Sequence, residues 1–158
     1  MIRRAVTRED FAAAAGLMQE YIDWLPFELD FQDFESELAD VAAHYSPPGG
    51  AVFLASGERD ELGVVGVRSL GAGVAEMKRM YVNEAARGTG LGRRLAEQAI
   101  EFAREQGYVA IRLDSDLESM PVANRLYDKL GFVDIPQYRD NPLRCSRFME
   151  LQLQSPRT

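Results

Sequence analysis

The feature that most constrains this 158-residue chain is the stretch at positions 77–94, which reads MKRMYVNEAARGTGLGRR. It begins with apolar and aromatic residues that are typical of a β-strand. At its end begins a segment in which apolar residues recur at helical spacing. Between the two lie three glycines at alternate positions, Gly88, Gly90 and Gly92. The stretch therefore predicts a strand that passes through a glycine loop into a helix.

Such a loop is a predicted anion site. A helix start presents unpaired backbone N–H groups and the positive end of the helix dipole, and glycines allow a phosphate to approach the backbone. Arg87, Arg93 and Arg94 add positive charge around it. Between residues 78 and 94 there are five basic residues and one acid, although the whole chain has a net charge of −7. This local charge predicts a ligand that carries phosphate.

Known phosphate-binding motifs match this loop to different degrees. The dinucleotide fingerprint G-x-G-x-x-G fails because Arg93 stands where its third glycine belongs. The nucleotide P-loop requires a Gly-Lys pair, and the sequence contains none. The pattern that fits is Arg87-x-x-Gly90-x-Gly92, directly after a predicted strand that reads EMKRMYV. In this position the pattern resembles the acyl-CoA pyrophosphate loop of the GNAT superfamily of N-acyltransferases.

A second motif, LYDKLGF at residues 126–132, supports the same resemblance. GNAT members often carry L-Y-x-K-x-G-F at this point, with an alanine four residues before the tyrosine, and Ala123 and Tyr127 match both positions. The two motifs occur in the family order and at about the family spacing. One position departs from the family, because many relatives have asparagine seven residues before the tyrosine and this chain has Met120. A CoA contact made by that asparagine is therefore not transferred.

The resemblance implies that the cosubstrate acetyl-CoA lies in a V between splayed fourth and fifth strands. The pantetheine arm would pair with backbone groups of Met80 and Val82, and the pyrophosphate would rest on N–H groups of residues 88–93. Met77, Met80 and Val82 do not keep the period of two that a regular strand requires, which predicts a β-bulge. The implied cofactor-binding residues are Met80, Tyr81, Val82, Arg87, Gly88, Thr89, Gly90, Leu91, Gly92 and Arg93.

Acyl transfer to an amine needs a base, because an alkylamine with a pKa of ~10.4 is neutral in only about one molecule per thousand at pH 7. Glu76 is the candidate base, and the alternative is a solvated or salt-bridged residue near Lys78. The resemblance implies that Tyr127 acts on the leaving thiolate, mainly as a hydrogen-bond donor, whereas helical spacing alone favours a core aromatic residue. The backbone N–H of Met80 would bind the carbonyl oxygen.

The remaining sequence predicts one mixed-sheet α/β domain over residues 1–158, with a frayed tail at 154–158. Before the glycine loop come an edge strand at 2–6, helices at about 8–25 and 31–45, and three strands that form an antiparallel meander. The helix after the loop and the next strand complete a βαβ crossover, so that the two strands are parallel or nearly so. A last helix and two strands follow. The fold class is GNAT-like, with splayed central strands and flanking helices.

Local signals mark the early helices. Thr7, with Asp10 three residues later, predicts a capping box at the start of the first helix. Six acids and no base lie between Glu28 and Asp40. This acidic run could draw a cationic amine toward the acceptor side, but a solvated helix face is the favoured interpretation.

Composition excludes several classes of protein. The acidic balance argues against general nucleic-acid binding, and no apolar run approaches the ~20 residues that span a membrane. The first ten residues also lack the apolar core of a secretory signal. A single cysteine, Cys145, rules out an internal disulfide and suits a reducing cytoplasm. With one histidine, His44, it argues against a His/Cys metal site.

The sequence thus predicts a GNAT-like N-acetyltransferase that moves an acetyl group from acetyl-CoA to a primary amine of a small molecule, amino acid or peptide. Attack would be direct, in a ternary complex, because no histidine is placed to activate Cys145. Two other classes stay open. A non-catalytic acyl-CoA-binding module would need neither Glu76 nor Tyr127, and another nucleotide binder could use the same helix start. The acceptor is also open, as is the choice between a monomer and a homodimer.

Overall fold

The computed structural model describes residues 1–26, 31–139, 141 and 146–153, with the side chains of 31–33 excepted. Predictions for Cys145 and for the tail at 154–158 lie outside the described residues, as does the part of the acidic run before Phe31.

Seven strands and five α-helices are present in this part of the chain. The strands are β1 (Ile2–Arg4), β2 (Ala51–Ser56), β3 (Glu61–Gly71), β4 (Val74–Val82), β5 (Ala110–Asp116), β6 (Val133–Asp134) and β7 (Ser146–Gln152). The helices are α1 (Arg8–Trp24), α2 (Phe31–Ala39), α3 (Val41–His44), α4 (Leu91–Glu105) and α5 (Pro121–Leu130), and a 3-10 turn covers Glu84–Ala86. No helix within the described ranges has the length and apolar character needed to cross a membrane.

All seven strands form one sheet in the order β1-β2-β3-β4-β5-β7-β6. The predicted antiparallel meander is confirmed, because β2 pairs with β3 and β3 with β4 in antiparallel fashion. The predicted crossover is confirmed too, because β4 and β5 are parallel and α4 connects them. The result is a mixed sheet whose single parallel contact lies at its centre.

The two faces of the sheet are covered by different helices. Side chains alternate between the two faces along a strand. Val64 therefore packs with Met18 of α1, whereas Val65 packs with Leu95 of α4. Burial of these apolar faces is the main stabilising contribution to such a domain. The helices α1–α3 therefore form one layer, and α4 and α5 form the other.

The predicted capping box is confirmed at the start of α1. The Asp10 backbone N–H donates to Thr7 Oγ1 at 3.0 Å, and the Thr7 N–H donates to Asp10 Oδ2 at 3.1 Å. Two helix-start N–H groups are thus satisfied by side chains. The capping backbone bonds, followed by the other contacts of the carboxylate, lower the pKa of Asp10 to about 2.

The prediction of one helix over residues 31–45 is wrong. The helix stops at Ala39, and a separate short helix begins at Val41. The Asp40 side chain accepts a hydrogen bond from the Ala43 N–H at 3.1 Å and so caps the second helix. The helical spacing of apolar residues continues past Asp40 and so predicts a single helix. The bond from the Asp40 side chain to the backbone, however, competes with continuation of the first helix.

Candidate active site

Strands β4 and β5 separate at a fork. Their parallel pairing covers three residue pairs, from Val74–Ala110 to Glu76–Arg112, although both strands continue beyond it. The expected splay of the central strands is therefore confirmed. Past Glu76, the edge of β4 toward β5 has no strand partner in the described part of the chain. Its backbone groups are available to a ligand that adds to the sheet as a strand does.

The predicted bulge lies on β4 just past the fork. Gly66 is opposite Lys78, whereas Val64 is opposite Tyr81, so β4 contains one extra residue. Arg79 lies in the bulge and has a φ of +57°, in the left-handed region that non-glycine residues rarely adopt. Strain of this kind persists only where surrounding contacts hold it in place.

A buried ion pair holds the bulge. The guanidinium of Arg79 donates from Nη2 to Glu37 Oε1 at 2.9 Å and from Nε to Glu37 Oε2 at 3.0 Å. The Tyr45 hydroxyl donates to the same carboxylate at 2.9 Å, and Arg79 lies 4.0 Å from the ring centroid of Phe34. Burial alone would raise the pKa of Glu37, but the bonds from Arg79 outweigh it and leave the pKa below its usual value. Sequence analysis had treated this acid as part of a solvated run.

The glycine loop has the form of an anion site. Gly88 and Gly90 both have a φ of +81°, and a Cβ added at either would meet no atom within 4 Å. The α4 helix starts at Leu91 without a side-chain cap. Within the described ranges, no hydrogen bond engages the N–H groups of residues 88–93, although the Thr89 hydroxyl bonds the Ala86 carbonyl. Several backbone donors therefore remain unpartnered at one helix start.

The arginines near this loop are held by weak contacts. Arg87 Nε donates to the Val82 carbonyl at 3.1 Å, and its guanidinium lies 5.0 Å from the ring centroid of Trp24 on α1. Arg93 forms an exposed i,i+4 ion pair with Glu97 at 3.0 Å. Such contacts contribute about 0.3–1 kcal/mol each, so both side chains can turn toward a phosphate at little cost.

The end of β4 presents alternate residues to the two faces of the sheet. Met80 and Val82 are partly buried against the core beneath α4. Tyr81 points the other way, and its ring centroid lies 5.9 Å from that of Tyr21 on α1. The predicted pantetheine contacts are to backbone groups of β4. These groups lie on the edge of β4 that has no strand partner past Glu76 in the described part of the chain, and they are therefore accessible to a ligand.

Tyr127 combines a buried ring with an unpartnered hydroxyl. The ring packs edge-on to Phe132 at 5.8 Å, as expected of a core aromatic. The hydroxyl has no hydrogen bond among the described residues, where every enclosed polar side-chain atom has a partner. It must therefore reach solvent. Burial raises the pKa of Tyr127, and Tyr21 and Asp114 raise it further. The phenol stays protonated and can donate.

Glu76 is fully buried and has three donors. Its Oε1 accepts from Arg68 Nε at 3.1 Å, and its Oε2 accepts from the Tyr138 hydroxyl at 2.8 Å and from the Arg139 guanidinium. The salt-bridged alternative of the sequence analysis describes these contacts, with Arg68 and Arg139 as partners rather than Lys78. A catalytic role for Glu76 stays a prediction.

Asp114 on β5 was missed in the sequence. Its Oδ2 accepts a bond from Asn141 at 3.3 Å. Burial raises the pKa values of Tyr127, Tyr138 and Tyr21, and the charge of Asp114 raises them further. Asp114 therefore acts electrostatically on the phenol proposed for the leaving group. The signal was available, because polar residues alternate with Ile111 and Leu113 along this strand.

Relatives of this chain include acetyltransferases that share much of its length. An uncharacterised N-acetyltransferase of Schizosaccharomyces pombe is 36% identical over 139 residues, which cover 87% of this chain and 85% of that protein. The N-acetylaspartate synthetase of Danio rerio is 32% identical over 110 residues, which cover 68% of this chain and 39% of that protein.

The fold also matches that of a candidate acetyltransferase from Salmonella typhimurium, solved with its cofactor acetyl-CoA. The TM-score is 0.70 at 21% identity, and the match covers all of this chain and 96% of that one. A family model for the acetyltransferase (GNAT) family matches residues 14–132. The chain therefore belongs to the GNAT family of acetyltransferases, and it is an acyltransferase.

Proposed function

We propose that the protein transfers an acetyl group from acetyl-CoA to the primary amine of a small molecule, amino acid or peptide, by direct attack in a ternary complex. One observation carries this proposal. The fold leaves three kinds of binding group without a protein partner in the described part of the chain, namely the β4 edge, the amides of residues 88–93 and the Tyr127 hydroxyl. Acyl transfer from a thioester of CoA can use all three.

These groups fit acetyl-CoA. Residues 88–93 would hold its pyrophosphate, with Arg87 and Arg93 adding charge, and the backbone of Met80–Val82 would pair with its pantetheine arm. Acetyl-CoA supplies a thioester, whose acetyl group passes to the amine nitrogen as the carbon–sulfur bond breaks and CoA leaves as a thiol.

Three groups of this chain would act during the transfer. The Met80 N–H, beside the bulge, donates to the thioester oxygen, where negative charge grows. The Tyr127 hydroxyl donates to the departing sulfur. A carboxylate removes a proton from the ammonium group of the acceptor. The nitrogen loses two protons in all, of which one ends on the thiol and the other passes through the carboxylate to solvent.

We propose Asp114 as this base, with Glu76 as the alternative that the sequence indicated. The contacts support Asp114, because its one donor in the described part of the chain is the Asn141 amide, whereas two guanidiniums and a phenol occupy the oxygens of Glu76. A base needs an oxygen that can accept from the substrate. Glu76 would have to release Tyr138 or Arg139 first.

Release of the CoA thiol in the presence of amines tests the proposed function. We expect both acetyl-CoA and CoA to raise the melting temperature of the protein, and we expect NAD and ATP to leave it unchanged. Thiol release should then require both acetyl-CoA and a primary amine. Tight CoA binding without turnover on any amine would instead indicate a non-catalytic acyl-CoA-binding module.

Replacing Tyr127 with phenylalanine should lower kcat by roughly 10- to 100-fold, the cost of losing one hydrogen bond to a charged group. The ring and its packing on Phe132 stay, so the Kd for CoA measured by calorimetry should change by less than about twofold. Equal losses in kcat and in CoA affinity would show that Tyr127 only shapes the site.

Replacing Gly90 with alanine should raise the Kd for CoA by roughly tenfold or more, because a Cβ would stand in the open space over the loop. Gly107 is the matched control. It follows the other end of α4, has a φ of +85° against +81° for Gly90, and is equally open around a built Cβ. Gly107→Ala should lose a similar stability, about 1 kcal/mol, and keep its affinity for CoA. Equal Kd values for the two variants would contradict the phosphate site.

A further inference from the structure

Lys78 is a buried cation that forms no ion pair with any residue that the structure describes. It lies on β4 just before the bulge and is 8% exposed. No hydrogen bond or ion pair engages its ammonium group in the part of the chain that the structure describes. Every fully enclosed polar side-chain atom there has a partner, so the ammonium must be in contact with solvent. Burial, followed by Arg79, lowers the pKa of Lys78 to about 8, against the opposing effects of Asp114 and Glu37.

Several other charges on this face are already paired. Described ion pairs join Glu37 to Arg79, Glu76 to Arg68 and Arg139, and Glu150 to Arg112. Of the charged residues within two positions of the last β4–β5 residue pair, only Lys78 and Asp114 are in no described ion pair. A buried ammonium is costly unless an anion accompanies it.

The register places these two residues on opposite arms of the fork. Glu76 and Arg112 form the last residue pair between β4 and β5. Lys78 and Asp114 each lie two residues farther along their strands, and therefore on the same face of the sheet. They influence each other electrostatically without forming an ion pair. A ligand at the fork can thus place a negative charge beside Lys78 on β4 and a positive charge beside Asp114 on β5.

We propose that Lys78 binds the carboxylate of an amino-acid acceptor whose amine is held by Asp114, so that the natural acceptor is a free amino acid or a closely similar aminocarboxylate. This inference rests on the proposed function and specifies its acceptor. A zwitterion supplies the anion that Lys78 lacks and the cation that Asp114 lacks. A simple alkylamine supplies only the second, and the first residue of a peptide has an amide where the carboxylate would be.

Matched acceptors provide the test. Thiol release is measured with the twenty amino acids, with the corresponding amino-acid amides and with the corresponding decarboxylated amines. For the best side chain, we expect kcat/KM for the acid to exceed that for the amide by about 10- to 100-fold, the value of one hydrogen bond between charged partners.

Variants of the two lysines in the chain then locate the preference. Lys78→Met should reduce the ratio of acid to amide to within about threefold of one, mainly by raising KM for the acid. Its melting temperature should equal or exceed that of the wild type, because an unpaired buried charge is removed. Lys129→Met, on the exposed side of α5, should retain the wild-type ratio.

The outcomes separate this inference from the proposed function. Turnover of amides or simple amines at least as fast as that of the acids would overturn the inference and leave the acetyltransferase function standing. An acid preference that survives in Lys78→Met would overturn the role of Lys78. Absence of turnover with every amine would overturn the proposed function, and the inference with it.

Discussion

Replacing Asp114 with asparagine is expected to lower kcat by roughly 100- to 1,000-fold, the usual contribution of a positioned general base. The amide has the size of the carboxylate but cannot take a proton from the acceptor ammonium. Steady-state rates at saturating acceptor measure this effect.

Glu76→Gln is the matched comparison, because it also replaces a carboxylate with an amide on the same face of the sheet. We expect it to lower kcat far less than Asp114→Asn does. It should lower the free energy of unfolding, since Arg68 and Arg139 lose their shared counter-charge. The reverse result, in which Glu76→Gln lowers kcat more than Asp114→Asn does, would identify Glu76 as the base.

Replacing Glu37 with glutamine is expected to lower the free energy of unfolding by about 3 kcal/mol, the lower end of the cost of removing one partner of a buried ion pair. The side chains of Glu37 and Arg79 are 3% and 14% exposed, so water cannot take over the lost charge. Arg79 also supports the left-handed residue of the bulge, and kcat should fall with the stability. Urea unfolding at pH 7 measures the first effect.

The pH dependence of unfolding gives an independent check. Because the folded-state pKa of Glu37 is below the ordinary glutamate value of 4.5, its stabilising contribution is present above about pH 4.5 and is lost as the pH falls through the lowered pKa. The stability difference between wild type and Glu37→Gln should therefore narrow in acid. Glu35→Gln, on the exposed face of α2, should change stability by less than about 0.5 kcal/mol at any pH. A constant difference for Glu37→Gln would contradict the charge argument.

Features encoded by neighbouring residues were predicted well from the sequence. The glycine loop, the Thr7 capping box and the bulge depend on residues a few positions apart, and their physical causes act over the same distance. The parallel crossover followed from element order, because a helix between two strands of one sheet makes them parallel. The family motifs gave Tyr127 a role at the leaving sulfur, which helical spacing alone does not suggest, and that role stays a prediction.

Features that depend on contacts between distant parts of the chain were not predictable. Glu37 is 42 residues from Arg79, so its acidic neighbours concealed a buried partner. Tyr138 reaches Glu76 across 62 residues and changes what that carboxylate can do. Lys78 and Asp114 flank the same fork only because the pairing of β4 with β5 ends at Glu76 and Arg112. Each case requires three-dimensional positions that no local pattern specifies.

The stacking of Arg87 on Trp24 has a practical consequence. Trp24 is the only tryptophan in the chain, and its indole is 43% exposed. A ligand that draws the guanidinium away alters the polarity around the one strongly emitting ring of the molecule. The unlabelled protein thus contains its own fluorescent probe beside the glycine loop, and rapid-mixing experiments can time the arrival and departure of a nucleotide without any dye.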